Sequence, residues 1–357
     1  MKKVIFTRFV TLLITVVTVA PFSFSQFDNV EFLRSAPADG VKLIQAYISP
    51  WANAFGAGLN GSWYNSAKPH KLGGFDITFS ANVGMVPESA GTFEISSLGL
   101  SPALSGSGSA PTVAGPKQDG PQMTYTMEGV ELATFNTPPG TEWKYIPVPT
   151  LQAGIGLPLG SELKVRFVPR IPIQDGDVML WGVGLMHSIM QYFPGSDLLP
   201  VDVSVFAGYT KLNGNVPLAL DPGSPQDYST WSLASFADQN MEATIDALNI
   251  SAIASLNLPV ISFYGGLGYS KTGTIVQLTG YYPLPVLVEP SAGAPYVEYN
   301  DDGVIAGADF PEVNIENFSG LRANAGFRIK LAVLTIHFDY TRSQYNVLSA
   351  GLGISFR

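Results

Sequence analysis

Leu321-Arg-Ala-Asn-Ala-Gly-Phe-Arg-Ile-Lys330 decides the fold. Leu321, Ala323, Ala325, Phe327 and Ile329 alternate with Arg322, Asn324, Gly326, Arg328 and Lys330. Successive side chains of a strand point to opposite faces, so the segment has one greasy face and one polar or small face. The next run places Leu334, Ile336, Phe338 and Tyr340 against Thr335, His337, Asp339 and Thr341. The last places Leu348, Ala350, Leu352, Ile354 and Phe356 against Ser349, Gly351, Gly353 and Ser355. These runs are long enough for tilted strands to cross a bilayer, which takes ~9–11 residues. Strands of a soluble sandwich are nearer ~5–6 residues.

The same period recurs upstream. Phe75, Ile77, Phe79, Ala81, Val83 and Met85 alternate with Asp76, Thr78, Ser80, Asn82 and Gly84. Leu163, Val165 and Phe167 flank Lys164 and Arg166, and Val201, Val203 and Val205 flank Asp202 and Ser204. Leu248–Leu256 repeats the pattern. Turns fall between runs at Pro158-Leu-Gly160, Asp175-Gly176, Asn257-Leu-Pro259 and Ser343-Gln344. Residues 100–141, 213–240 and 283–318 read as long loops. Barrels of the outer membrane join strands by short turns at the periplasmic end and long loops outside. The expectation is therefore an all-β chain, a transmembrane antiparallel β-barrel of about 12–14 strands. Twelve lie near 54–65, 73–86, 91–99, 143–157, 161–172, 177–188, 200–211, 243–257, 259–275, 319–330, 332–342 and 345–356. A further hairpin from 123–135 or 272–282 makes 14.

Composition agrees. Of 357 residues, 46% are hydrophobic and 13% charged, about half the ~25% charge of soluble domains. There are no cysteines and three histidines. That excludes disulfides, thiolate metal sites and cysteine nucleophiles, and makes a histidine-built metal site a poor expectation. A formal charge of −9 excludes a general nucleic-acid binder, which needs basic surface.

The domain expectation is threefold: a signal peptide at 1–25, a plug or periplasmic segment at 26–52, and the barrel at 53–357. Lys2, Lys3 and Arg8 precede the apolar run Phe9–Ala20, and Ser23 and Ser25 supply small residues for cleavage before Gln26. Val30, Leu33, Val41, Ile44 and Ile48 have helical rather than alternating spacing, interrupted by Pro37 and Gly40, which predicts a short helical plug. A second helical fragment is expected at His187–Phe193. Trp63, Trp181, Tyr209, Tyr269, Tyr281 and Tyr282 are expected in interfacial girdles.

Three segments carry a resemblance: Gly58-Leu-Asn-Gly-Ser-Trp-Tyr-Asn-Ser-Ala-Lys-Pro-His70, Leu180-Trp-Gly-Val-Gly-Leu-Met-His-Ser-Ile-Met-Gln-Tyr-Phe-Pro-Gly195 and Gly351-Leu-Gly-Ile-Ser-Phe-Arg357. The chain resembles an uncharacterised outer-membrane β-barrel family of Bacteroidota. In architecture, a plug followed by a barrel with long outer loops, it is distantly similar to the FadL-type transporters of hydrophobic compounds. The resemblance implies a fold and a location in the outer membrane of a gram-negative bacterium, and brings no activity. Fold alone does not give function.

The chemistry-bearing residues are the lumen-facing cations Lys164, Arg166, Arg170, Arg322, Arg328 and Lys330, with Asp76, Asp202, His337 and Asp339. Two readings are open. The cations line an anion path, or they pair with the lumen carboxylates, since buried charges need partners. Asp301-Asp302-Gly303 is the most cation-like acidic turn, but it lacks the spacing of a calcium loop; a solvated acidic surface is the alternative. His187 adjoins Ser188, yet strand neighbours point apart; His337 shares a face with Thr335 and Asp339. There is no G-x-S-x-G elbow and no P-loop. The expectation is a protein that is not an enzyme, without catalytic residues, metal or cofactor. It is expected to be a monomer in outer-membrane lipid that binds or passes a small, hydrophobic compound. The alternative is a non-transporting structural or surface-binding barrel.

Overall fold

The computed structural model describes residues 37–127, 130–173, 176–194, 200–218, 227–283, 286–288, 296–315 and 318–356. The expected signal peptide and the first part of the plug, 26–36, lie outside the described residues.

Helix α1, Pro37–Leu59, comes first. Ten long strands follow: β1 Phe75–Met85, β2 Tyr145–Leu157, β3 Ser161–Ile173, β4 Gly176–Ser188, β5 Val201–Pro217, β6 Asn240–Asn257, β7 Ile261–Thr279, β8 Ser319–Leu331, β9 Leu334–Arg342 and β10 Asn346–Phe356. Each pairs antiparallel with the next. β10 pairs with β1 from Phe75↔Phe356 to Met85↔Asn346, which closes the ring. No sheet edge is left open between first and last strand, the condition for β-structure in lipid.

The count corrects the expectation of 12–14. The ring closes with ten strands. Residues 54–65 are the end of α1 and an irregular stretch after it. Residues 91–99 hold a short strand, Thr92–Glu94, and a 3-10 turn in an outer connection. Residues 123–135 do form a hairpin, but it pairs with Leu104–Gly106 in a separate small sheet. Residues 272–279 are the upper end of β7, where Val313–Ile315 adds a short extra strand.

The faces are inverted relative to a water-soluble core. β9 alternates exposed and buried with its apolar residues outside: Ile336, Phe338 and Tyr340 are exposed, while Thr335, His337, Asp339 and Thr341 are buried. Asn82, Ser204, Asn249 and Ser349 are fully buried, while Leu321 and Leu267 are exposed at 84% and 70%. Such a surface is stable where the surroundings are hydrocarbon and the interior is polar. Of the residues expected in girdles, Trp181 and Tyr209 face outwards, with their rings edge-on at 5.6 Å. Trp63 and Tyr282 are instead about 1% exposed. Trp63 sits on the lumen segment, and Tyr282 packs on Phe310 in the outer connections.

The ends of the ring differ. Short turns join β2 to β3 (158–160), β6 to β7 (258–260) and β8 to β9 (332–333) at one end. Leu159 and Gly160 both take positive φ, 59° and 58°, in the first of these. At the other end run the long connections 86–144, 218–239 and 280–318. The helical fragment expected at 187–193 is a single 3-10 turn, Met190–Tyr192, because His187 is still in β4.

Helix α1 occupies the lumen, with its start at the long-loop end. Val41, Leu43 and Ile44 pack on Ile95, Leu104 and Met123 of connection 86–144 and on Val276 and Ile315. Ala54 and Ala57 pack on Val86, Ile146, Phe318 and Val347, one level down. Leu59 meets Val148, Leu180, Leu212 and Ile245. Trp63, Tyr64 and Ala67 then pack on Met186, Phe206, Ile253 and Tyr264 near the short-turn end. The boundary expected at residue 52 thus falls inside the helix. Pro50 also lies inside it; the Tyr47 carbonyl, one turn before, accepts a 2.9 Å hydrogen bond from the Val113 amide. Small residues allow the fit. A Cβ on Gly84 of β1 would stand 2.0 Å from the Ala54 carbonyl oxygen, so only glycine permits this approach.

Candidate functional site

Three of the expected lumen cations, Arg166, Arg322 and Arg328, meet the plug segment. Arg166, fully buried, donates from Nη1 to the Leu59 carbonyl at 2.7 Å and from Nη2 to the Gly61 carbonyl at 2.6 Å. Its Nε donates to Gln152 Oε1 at 3.1 Å, and Gln152 returns a bond to the Trp63 carbonyl at 3.2 Å. The guanidinium lies 3.7 Å from the Trp63 ring centroid. Across the barrel, Arg322 Nη1 donates to the Asn60 carbonyl at 2.7 Å and Nη2 to Thr341 Oγ1 at 3.2 Å. Leu59, Asn60 and Gly61 are the carbonyl end of α1, where backbone acceptors are unpaired and the helix dipole is negative. Two arginines from opposite walls therefore cap the helix and hold it in the lumen.

A second polar layer lies nearer the short-turn end. Lys164 forms an ion pair with Glu162, both buried. Glu162 Oε2 accepts from the His70 amide at 2.9 Å and lies 3.0 Å from His70 Nδ1. His70 Nδ1 is 3.9 Å from Asp76 Oδ1, and Thr78 donates to Asp76 Oδ2 at 2.9 Å. His70, Asp76 and Glu162 place three ligand-type atoms within 4.8 Å of one another; the Lys164 ammonium already supplies the positive charge at this point. Arg328 donates to Asn65 Oδ1 at 3.1 Å, and Lys330 to Ser355 Oγ at 3.3 Å. A cavity of about 10 Å³, room for one water, remains among His70, Asp76, Lys164 and Arg328.

Asp202 accepts from Asn257 at 2.7 Å, with Lys68 3.9 Å away. Asp339 accepts from the Tyr264 hydroxyl at 3.1 Å. His337 is buried, 3.5 Å from Ser80 Oγ. Arg170 departs from the expectation: it is exposed and pairs with Asp177 at the top of the β3–β4 hairpin. The strand register shifts between Val168 and Ile171, so the inward alternation that Lys164 and Arg166 follow does not continue to Arg170. His187 has a partner that its neighbour Ser188 does not reveal: Ser161 Oγ, 2.8 Å away across the hairpin.

The upper end of the plug has its own anchor. Asp39 accepts from the Ser101 amide at 3.1 and 3.0 Å, and from its hydroxyl. Burial pushes the Asp39 carboxyl up, but these bonds and Lys42 more than reverse it and hold it below the ordinary carboxylate value. Tyr47 donates to the Pro139 carbonyl at 2.8 Å, and Trp51 Nε1 to the Trp143 carbonyl at 2.9 Å.

One wall of the barrel is incomplete. β2 and β3 pair only from Leu157↔Ser161 to Gln152↔Arg166. Continuing that register would set Pro149 opposite Pro169. Proline brings no N–H to a ladder. The β1–β2 ladder runs unbroken past Pro147 and Pro149, so their missing donors face β3. Tyr145–Leu151 and Phe167–Ile173 thus make a seam at the long-loop half. Val148 and Leu59 lie behind it, 1% and 0% exposed, with Phe55 and Val168 packed against the same cluster.

A closed antiparallel barrel, apolar outside and filled by its own N-terminal helix, is the class this chain defines. It belongs to a family of unknown function, DUF6588, whose profile matches residues 1–356. No curated protein matches it. Among solved structures it is similar to the translocator domain of autotransporter NalP from Neisseria meningitidis (11% identity, 91% of this chain and 99% of that one, TM-score 0.29). It is also similar to Ail, the attachment invasion locus protein of Yersinia pestis (9%, 80% and 98%, TM-score 0.24). A third is the outer membrane protease OmpT from Escherichia coli (7%, 79% and 97%, TM-score 0.30).

Proposed function

We propose that this protein is an outer-membrane barrel that binds or passes small hydrophobic compounds, which enter sideways through the β2–β3 seam. The seam is the observation that carries the reading. It is the one place among the described barrel strands where neighbours face each other through prolines, and behind it Leu59 and Phe55 of the plug pack with Val148, Leu180, Leu212 and Ile245 of the wall. A compound dissolved in the outer leaflet reaches this unzipped pair of strands without crossing water. FadL-like passage past a plug, an origin in Bacteroidota, signal-peptide cleavage before Gln26 and a monomeric state in outer-membrane lipid belong to the same reading. The protein is read as a carrier and not as an enzyme.

The test restores the missing donors. In Pro149→Val/Pro169→Val the seam can zip, and uptake of a fluorescent hydrophobic probe by cells should fall towards that of cells lacking the protein. Undiminished uptake by a correctly inserted double variant would remove the seam from the route. The filled lumen favours a second reading, a non-transporting barrel whose outer connections bind a partner. That reading predicts no uptake difference between cells with and without the protein.

A further inference from the structure

We infer that the plug enters the lumen from the cell exterior, so that the start of α1 has been carried outwards across the membrane while the strand after it begins at the periplasmic end. The inference needs the direction of α1 and the orientation of the barrel. It does not need passage of any compound.

The direction is fixed by contacts at both ends. Asp39 is held by Ser101 and Lys42 by the Gly99 carbonyl, both in connection 86–144 at the long-loop end. Leu59–Gly61 are held by Arg166 and Arg322. Beyond them the Ala67 carbonyl accepts from Ser204 at 2.6 Å, and His70 reaches Ser355 at 3.1 Å. Ser204 and Ser355 lie near the short-turn ends of β5 and β10. The chain then turns and climbs as β1 to Met85, back at the long-loop end. α1 and β1 are thus the two legs of one hairpin, with residues 60–74 as its bend. Gly84 at the top of one leg touches Ala54 on the other.

Orientation supplies the rest. Short turns face the periplasm and long loops the exterior in such barrels. An exported chain reaches the outer membrane from the periplasmic side. The bend at 60–74 is therefore where the hairpin was left behind, and Pro37 is on the far side. At 23 residues, α1 spans about 35 Å at ~1.5 Å per residue. Ala54, five residues before the end of the helix, is level with Gly84 at the top of β1, so the first turns of the helix stand among the outer connections, where Val41, Leu43 and Ile44 pack on Ile95 and Leu104. The start of α1 has accordingly been carried across to the long-loop side, threaded through the lumen or inserted together with β1 while the ring was open.

The chain has no cysteine, so single cysteines report unambiguously. Ala38 is exposed at the start of α1, Ser107 is exposed in connection 86–144, and Val333 is exposed in the β8–β9 turn. Intact cells expressing Ala38→Cys, Ser107→Cys or Val333→Cys are treated with a membrane-impermeant maleimide, before and after the outer membrane is opened. Heat-modifiable migration on a gel confirms that each variant is folded, and Lys42→Cys substitutes for Ala38→Cys if that variant fails. Labelling of Ala38→Cys in intact cells to the level of Ser107→Cys, with Val333→Cys labelled only after opening, is the expected result. Labelling of Ala38→Cys only after opening, while Ser107→Cys labels in intact cells, overturns the inference. So does a reversal of the Ser107→Cys and Val333→Cys controls, which would place the long loops in the periplasm.

Discussion

Arg166→Met should loosen the plug. Methionine keeps an unbranched apolar stem but is shorter and has no donors, leaving the Leu59 and Gly61 carbonyls without their partner. A buried acceptor stripped of its hydrogen bond costs ~1–3 kcal/mol, so the two amount to about 2–6 kcal/mol. One effect opposes this. With the plug out, the guanidinium is hydrated, and docking strips that water; methionine avoids the loss. The backbone acceptors cannot be substituted away, so breaking the contact remains net unfavourable, near the bottom of the range. About 2 kcal/mol is roughly a 30-fold shift in the docked-to-undocked ratio, at ~1.4 kcal/mol per decade. The assay is conductance of the purified protein in planar bilayers, where open bursts should become about 30 times more frequent. Loss of heat-modifiable migration would show misfolding instead, and Arg322→Met, which strips one plug carbonyl, that of Asn60, and the Thr341 hydroxyl on the wall, is then the milder substitute. A folded Arg166→Met barrel with unchanged closed-state conductance would refute the clamp.

Three further outcomes are expected. Deleting residues 37–59 should leave a folded barrel with a steady open conductance, read in the same bilayers. Gly84→Val should displace α1, because the new Cβ would stand 2.0 Å from a backbone oxygen that cannot move alone; frequent openings are expected, and none would mean that the helix is not packed there. Asp301 is half-buried at the surface of the outer connections, and the Ser229 hydroxyl with the amides of Thr230 and Ser229 holds its carboxyl at about 2. A depressed carboxyl stabilises above its ordinary value of 3.8 and loses that contribution as pH falls through about 2. Pepsin nicking between Tyr228 and Trp231 should therefore be slow near pH ~4 and accelerate towards pH ~2, whereas Asp301→Asn should be nicked readily at both.

The wall of the barrel was readable because lipid on one side and a polar lumen on the other impose a period of two on every strand. β8, β9 and β10 needed nothing more than that alternation. The same logic misled at 54–65. There Phe55, Leu59, Trp63 and Tyr64 are apolar because the lumen buries the whole segment, and burial from all sides carries no period. Thr92–Glu94 alternates in the same way, but its partner is Ser109–Pro111 in an outer connection and not the ring. The cations were visible as inward residues on strands. Their acceptors were not, since Arg166 meets carbonyls 105 and 107 residues earlier in the chain, and a backbone carbonyl leaves no mark in a sequence. Both readings of the cations, pore lining or pairing with carboxylates, miss that clamp, although Lys164 with Glu162 is a true ion pair. The seam had a visible signal in Pro147, Pro149, Pro169 and Pro172. Its meaning emerges only once the β2–β3 register sets Pro149 and Pro169 face to face.

The most direct test of the passage reading is mass spectrometry of small molecules extracted from the protein purified out of native outer membranes. Wild type is compared with Pro149→Val/Pro169→Val and with an unrelated barrel. The account predicts a specific hydrophobic compound enriched in the wild type and depleted in the variant. The same lipid profile in all three samples would contradict it and leave a stoppered barrel whose work is done by its outer surface.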